Sequence, residues 1–298
     1  MSKFESVPIV AELRIPTKWS QDRRLEFIDF RLRWDGKLNR ADLTKQFAIS
    51  IPQASLDIAK YLELAPANMN YDKRARVYVA SNTFKTLYVS SNALQYLNEL
   101  LMTQTGLLEP EASSLGWRPS MALMPTPGRQ LNDDTLAVLV AAIRENCTVS
   151  VLYQSMTQEE PQLRAVSPHA LAHDGYRWHV RLYCHLRNQY RDFVIARILE
   201  IQPSNATYVD STEDKAWSNL VELVLVPNPE LSGPHKRVIE LDYGMSNGKV
   251  VLRCRQALLF YVLKHLGLDQ LTGSSPKAHQ VVLENLTEIE PLLASVEV

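Results

Sequence analysis

The sequence predicts an α+β protein of several domains. Three observations carry this. Helical periodicity with capping residues runs through the first third, short alternating segments broken by Gly, Asn and Pro run from about Cys147 to Pro203, and mixed strand and helix signals follow Asn219. At 298 residues the chain is long enough for two or three domains of ordinary size. A content of 46% hydrophobic and 22% charged residues describes a globular chain rather than a disordered one. The net charge of −1 hides an asymmetry. Residues 1–90 hold 15 Lys and Arg against 10 Asp and Glu, whereas the remaining 208 hold 17 against 23. A basic first third on an otherwise acidic chain is the balance that nucleic-acid binding by one domain requires.

The elements of that first third follow in order. Ser20 to Trp34 predicts a helix with Leu25, Ile28 and Leu32 on one side, start signals at Ser20 and Asp22, and Gly36 to end it. A second helix opens at Asn39, with Asp42 three positions on as a capping partner, and buries Leu43 and Phe47. After the connector Ala48 to Ile51, Pro52 stands at the first position of a third helix, where Ala54, Ile58 and Tyr61 form a buried stripe. Gln53, Ser55, Leu56, Asp57 and Lys60 are left outward. Helix, tight turn and helix is the helix-turn-helix plan, and Tyr71 to Val79 adds a β-hairpin wing whose turn carries Lys73, Arg74 and Arg76. Gln53, Ser55 and Lys60 are expected at base edges or phosphates of the major groove, and Lys73, Arg74 and Arg76 at phosphates. A three-helix subdomain that packs on protein is the other reading of these elements.

Ser90 to Thr103 predicts an amphipathic helix with Leu94, Leu97, Leu100 and Leu101 apolar, and Gly106 to Gly128 reads as a loop or linker. Asp133 to Glu145 predicts another helix, with Leu136, Val140 and Ile143 on one face. Two helices between domains suit packing against a partner subunit, and a helix-turn-helix commonly reads two half-sites, so a homodimer on an inverted-repeat, double-stranded operator is expected. Beyond Asn219, Leu220 to Val226 and Lys236 to Asp242 read as strands. Asn247-Gly248 marks a hairpin turn before Lys249 to Arg255, and Gln256 to Leu266 reads as a helix ending at Gly267.

The segment from Ser167 to Ile198 is the most informative. Val149 to Ser155 supplies a first strand, Ala172 to Gly175 a turn, and Trp178 to Leu186 alternates as a half-buried strand should. Trp178, Val180, Leu182, Cys184 and Leu186 fall on one face, and His179, Arg181, Tyr183 and His185 on the other, with Arg177, Arg187, Arg191 and Arg197 nearby. Short strands joined in this order suggest a small, strongly bent antiparallel sheet or barrel. The donor-rich face suits an anionic ligand, because Arg grips phosphate or carboxylate bidentately while Tyr and His stack on a base. On pattern alone, a solvated strand face with ordinary cross-strand pairs fits as well.

Pro168-His169, then Trp178-His179-Val180, then Phe193 to Ile198 resemble the core of a WYL domain, the effector-sensing module of a large group of bacterial transcription regulators. That family carries Trp-Tyr-Leu on the central strand; His179 and Val180 depart from it, which bears on the ligand rather than the fold. The Trp178-His179-Val180-Arg181 variant resembles the branch that regulates phage-defence operons of the BREX and CBASS kind. The resemblance implies a winged helix-turn-helix at 1–90, a helical connector at 91–146 and an Sm-like barrel at 147–205, with a C-terminal α+β extension at 206–298. It also implies ligand contacts from Tyr153, Ser155, His169, His179, Arg181, Tyr183 and Arg197; the alternation by itself already selects Arg181 and Tyr183.

Several function classes are disfavoured. The histidines at 169, 173, 179 and 185 match no common metal spacing, and at ~3.3 Å per residue His179 and His185 stand about 20 Å apart on one strand, too far for one ion. There is no phosphate-binding loop or nucleophile elbow, and Cys147, Cys184 and Cys254 lack C-x-x-C spacing or a catalytic context. Neither catalysis, a cofactor nor a metal is expected. No apolar run reaches the ~18 residues of a membrane span, and the N-terminus lacks a signal-peptide core, so the cytoplasm is the expected location. Two readings remain. One is a ligand-responsive repressor of a phage-defence operon, sensing a nucleotide or oligonucleotide. The other is a non-switching adaptor that grips single-stranded nucleic acid.

Overall fold

Residues 21–125, 127, 130–268 and 279–294 are described by a computed structural model, in which the chain falls into two units, Met1–Met124 and Pro125–Val298. Ser20, Gly128 and the rest of 1–20 lie outside the described residues.

In the first unit, α1 (Gln21–Asp35) buries Leu25, Phe27, Ile28, Phe30 and Leu32, a wider stripe than its periodicity indicates. The two-residue β1 (Lys37–Leu38) follows. Asn39 caps α2 (Arg40–Phe47) reciprocally with Asp42, as the sequence predicts, and Ala48 ends it in the left-handed region at φ 51°. Ser50 caps α3 (Ile51–Leu64), with Pro52 in its first turn. Ala54, Ile58 and Tyr61 are fully buried as predicted; Asp57 is not outward but buried. Its carboxylate accepts from Arg24 at 2.6 Å, from Gln21 and from Gln53, and a buried carboxylate needs such partners. Then β2 (Met69–Asp72) and β3 (Val77–Ala80) make the wing, and β1 joins as an edge in the antiparallel order β1-β3-β2. Behind the wing, buried Asp29 accepts from Tyr61 Oη at 2.6 Å and from the amides of Leu87 and Tyr88, which ties α1, α3 and the strap after β3 together.

Asn92 caps α4 (Ala93–Gln104). Of its four predicted apolar residues only Leu100 is buried; Leu94, Leu97 and Leu101 are exposed. The segment that composition marks as linker folds back in its first half. Leu115 packs with Phe30 and Leu100, Glu99 accepts from Ser113 Oγ and the Ser114 amide, and Asp35 accepts from the amides of Gly116 and Trp117.

In the second unit, α5 (Asp133–Glu145) lays Leu139 and Ala142, with Leu136 and Ile143 beside them, on the core of a sheet; Val140 stays exposed. The helix is therefore packed onto this sheet rather than standing free between domains. The sheet is antiparallel, with strands β4 (Val149–Tyr153), β5 (Gln162–His173), β6 (Trp178–Cys184), β7 (Gln189–Val194) and β8 (Ile198–Pro203) in the order β7-β6-β5-β4-β8. Register shifts at Pro168/Ala170 and Leu152/Tyr153 bend it, the first at a proline that has no amide to donate. β5 extends through Ala172 and His173, which the sequence reading placed in a turn; the turn is Asp174 to Arg177.

Beyond it come α6 (Lys215–Ser218), β9 (Leu220–Pro227), α7 (Gly233–Asp242), β10 (Val250–Arg255), α8 (Leu259–His265), β11 (Val281–Leu283) and α9 (Leu286–Ala294), with sheet order β10-β9-β11. Lys236 to Asp242 is helix, not strand. Its apolar residues are too few to separate the two periods, and Pro234 sits in the first turn of a helix that buries Ile239. Asn247 and Gly248 both have positive φ, as a type I′ turn demands, and Gly267 at φ 69° terminates the helix before it.

Candidate functional site

On β6, Val180, Leu182 and Cys184 face the core as expected, but the strand ends at Cys184, and Trp178 and Leu186 are exposed rather than packed. On the opposite face His179 and Arg181 do not open to solvent. Arg181 is 3% exposed. Its guanidinium grips Asp214 bidentately at 2.7 and 3.0 Å, and also contacts Asp192, directly opposite on β7, at 3.3 Å. His169 Nε2 lies 3.0 Å from the same Asp214, which also caps α6 by accepting from the Trp217 amide. Burial opposes ionisation of Asp214, yet the hydrogen bonds from His169 and Arg181 prevail and hold its carboxyl down at about 2. The stretch around Tyr208 to Trp217 covers this face: the Val209 amide donates to Ser167 Oγ and Tyr190 Oη to the Asp210 carbonyl. Alanines 170 and 172, opposite Arg181 and His179, leave room for the large side chains. Arg181 and His169 are thus committed to internal partners, and Tyr183 packs edge-on between His185 and Tyr190.

An open cleft of about 280 Å³ lies beside this face. Tyr153, Ser155, His179 and Arg197 line it; His169, Arg181 and Tyr183 do not. Its other charged residues are Arg164, Arg177, Arg187, Arg191 and Asp192, so five arginines converge with one carboxylate, and Arg181 already contacts that carboxylate. The guanidinium groups of Arg187 and Arg197 have no ion-pair partner among the described residues. Tyr153 is a floor rather than a probe: its ring stacks on Phe193 at 4.0 Å, its hydroxyl accepts from the Val194 amide, and Arg164 lies over both rings. His179 donates through Nε2 to the Asp174 carboxylate, 2.9 Å away, whereas His179 Nδ1 and Arg164 Nε are buried without a hydrogen-bond partner among the described residues. Asp174, though burial works against its charge, is held well below the usual carboxylate range by bonds from His179, Tyr176 and Arg177. Phe260 and Tyr261 of α8 complete the wall, and the Tyr261 side chain hydrogen-bonds Asp192. Such a lining suits a phosphate-bearing ligand with an aromatic part. Sequence reasoning missed Arg164, because β5 was not read as a long strand, and missed Phe260 and Tyr261, which lie far along the chain.

On the first unit, Lys73, Arg74 and Arg76 stand exposed at the wing tip with no ion-pair partner among the described residues. Asp72 holds the turn by accepting from the amides of Arg74 and Ala75, and Arg76 takes φ 58°. The three expected residues on α3 are more engaged: Gln53 donates to Asp57, Ser55 Oγ to the Ile51 carbonyl, and Lys60 pairs with Glu63 at 2.8 Å. Among the described residues there is no cluster of side chains able to hold a metal ion and no helix long and apolar enough to cross a membrane.

A winged helix-turn-helix, then a bent five-stranded sheet with its helix, then a C-terminal α+β domain is the build of a WYL-domain transcription regulator. Family models agree. The BrxR transcriptional regulator winged helix-turn-helix domain matches residues 20–102, the WYL domain 134–203, and the BrxR transcriptional regulator C-terminal dimerization domain 220–289. The chain is 44% identical over 280 residues to the DNA-binding transcriptional repressor CapW of Escherichia coli (strain KTE188), covering 93% of each. It is 46% identical over 277 residues to CapW of Pseudomonas aeruginosa, again covering 93% of each. The chain belongs to this BrxR and CapW family of regulators. Among solved structures, proteasome accessory factor B/C of Arthrobacter aurescens aligns over 99% of this chain and 50% of its own at 15% identity and a TM-score of 0.26, which carries no argument.

Proposed function

We propose that this chain is a homodimeric, ligand-responsive transcriptional repressor, acting in the cytoplasm on a phage-defence operon. The observation that carries the reading is a pair of surfaces whose cations have no ion-pair partner among the described residues: Lys73, Arg74 and Arg76 at the wing tip, and Arg187 and Arg197 in the arginine cleft. In this reading α3 enters the major groove, Lys73, Arg74 and Arg76 bind phosphates, and dimerisation through the C-terminal domain pairs two half-sites about one helical turn apart. The repressors called CapW, and the family's dimerization domain, support it. The cleft takes a nucleotide or oligonucleotide, held by Arg187 and Arg197 with Ser155 and His179 at its edge. Because Phe260 and Tyr261 belong to the C-terminal domain, a ligand that favours one placement of α8 shifts the dimer between arrangements that do and do not fit the operator.

Anisotropy titrations of a duplex enriched from the protein's own genome, at several salt concentrations, test both surfaces. Replacing Lys73, Arg74 and Arg76 by Ala lowers the slope of log affinity against log salt by about 0.9 per phosphate contact removed. Arg187→Ala with Arg197→Ala keeps duplex affinity and loses release by a short single-stranded oligonucleotide or by nucleotides. An unchanged salt slope sinks the wing assignment. Tight single-strand binding with no duplex affinity favours the adaptor instead.

A further inference from the structure

The outward centre of α3 is apolar. Leu56 is 62% exposed and Ile51 65%, and Pro52 and Ala59 are exposed on the same helix. At 100° per residue, Pro52, Leu56, Ala59, Lys60 and, in the last turn, Glu63 share one outward stripe, with Leu56 near its middle and the buried Ala54, Ile58 and Tyr61 on the far side. The polar residues flanking Leu56 are turned along the helix: Ser55 Oγ bonds back to the Ile51 carbonyl and Gln53 to Asp57. Asp57 itself is buried under Arg24, so no carboxylate faces outward from the first three turns; Glu63, in the last, is paired with Lys60. A single exposed leucine is ordinary on a protein surface; what this one does is present an apolar contact at the middle of the outward face of α3 to whatever that helix meets.

Charge complementarity identifies that partner. The same winged helix carries the cationic wing tip of Lys73, Arg74 and Arg76, exposed and without an ion-pair partner among the described residues, which suits a polyanion. The apolar group that duplex DNA displays in its major groove is the thymine C5-methyl. We propose that Leu56, flanked by Pro52 and Ala59, reads thymine methyl groups, so that the half-site this protein selects carries thymine opposite the middle of α3. The inference rests on the reading of α3 as the helix that enters DNA. It assigns base discrimination to shape and apolar contact at Leu56 rather than to Gln53 or Ser55.

The test uses the full chain and duplexes selected by it from a randomised pool. Each selected duplex is then synthesised with deoxyuridine in place of thymine, which removes the methyl and leaves every hydrogen-bonding group, and both are titrated at one fixed salt concentration. The wild-type chain binds the deoxyuridine duplex about fourfold more weakly per contacted methyl, the worth of one buried carbon. Leu56→Ala binds the thymine duplex more weakly and no longer distinguishes the two. Its melting temperature matches the wild type, because the side chain it truncates is exposed. Equal wild-type affinity for both duplexes overturns the proposal, as does full discrimination by Leu56→Ala. If no duplex is selected at all, the placing of α3 in DNA falls with it, a result distinct from lost discrimination on a duplex that is still bound.

Discussion

Two arginine-bearing regions of the WYL domain lie side by side and differ in how their charge is met. Arg181 is buried, bidentate to Asp214 and within reach of Asp192. Arg187 and Arg197, in the adjoining cleft, have no carboxylate within ion-pair distance among the described residues. The first region spends its charge on folding: Arg181, His169 and Asp214 hold the covering stretch around α6 onto β6. The second leaves two guanidinium groups without an internal partner among the described residues. Residue type does not separate them; the presence or absence of an acid across the chain does.

Removing the acid from the buried region gives the largest effect. Asp214→Ala takes its bidentate partner from buried Arg181 and leaves it Asp192 alone at 3.3 Å, and lowers unfolding free energy by about 3 kcal/mol, the low end for a broken buried pair, measured by denaturant titration. Arg197→Ala, in the open region, moves it by no more than about 0.5 kcal/mol. Equal losses would erase the distinction between the regions.

Acid sharpens the same contrast. Asp214 titrates at about 2 in the folded chain, below the ordinary carboxylate value near 4 in the unfolded one. A depressed folded value means the contribution to stability is whole above pH ~4 and is lost as pH falls toward ~2. Asp174, held low by His179 and Arg177, acts in the same direction. In Asp214→Asn the fall in stability between pH 4 and 2 becomes shallower, whereas Arg187→Ala leaves it as in the wild type; chemical denaturation across that range reads the difference.

The smallest effect lies where the two regions meet. Tyr261→Phe removes the hydrogen bond to Asp192 and costs about 1 kcal/mol of stability. It leaves the duplex affinity of the ligand-free chain unchanged and alters the oligonucleotide concentration needed for half-release. If release is indifferent to Tyr261, the cleft and the C-terminal domain are not coupled through α8.

Local signals were legible in the chain. The Asn39 and Asp42 capping box, the Asn247-Gly248 turn and the stop at Gly267 all emerged where the residues indicate, because each is decided by neighbours within a few positions. Of the apolar face expected on β6, the central Val180, Leu182 and Cys184 are packed and the end residues Trp178 and Leu186 are exposed. Of the expected ligand residues, Tyr153, Ser155, His179 and Arg197 line the cleft. His169, Arg181 and Tyr183 are drawn away from it by residues with no local signature. Helix α7 was read as a strand because seven residues with few apolar positions fit either period.

The sequence by itself determined the order of domains, the helix-turn-helix with its basic wing, and which residues of β6 share a face. Those follow from periodicity, capping and turn chemistry, whose free energies are set along the chain. Only the tertiary structure decided which charges remain available. Asp214 lies 33 residues from Arg181, and Asp57 the same distance from Arg24. Burying a charge is tolerated only beside its counter-charge, so the pairing of distant acids with arginines determines which cationic surfaces are left to bind.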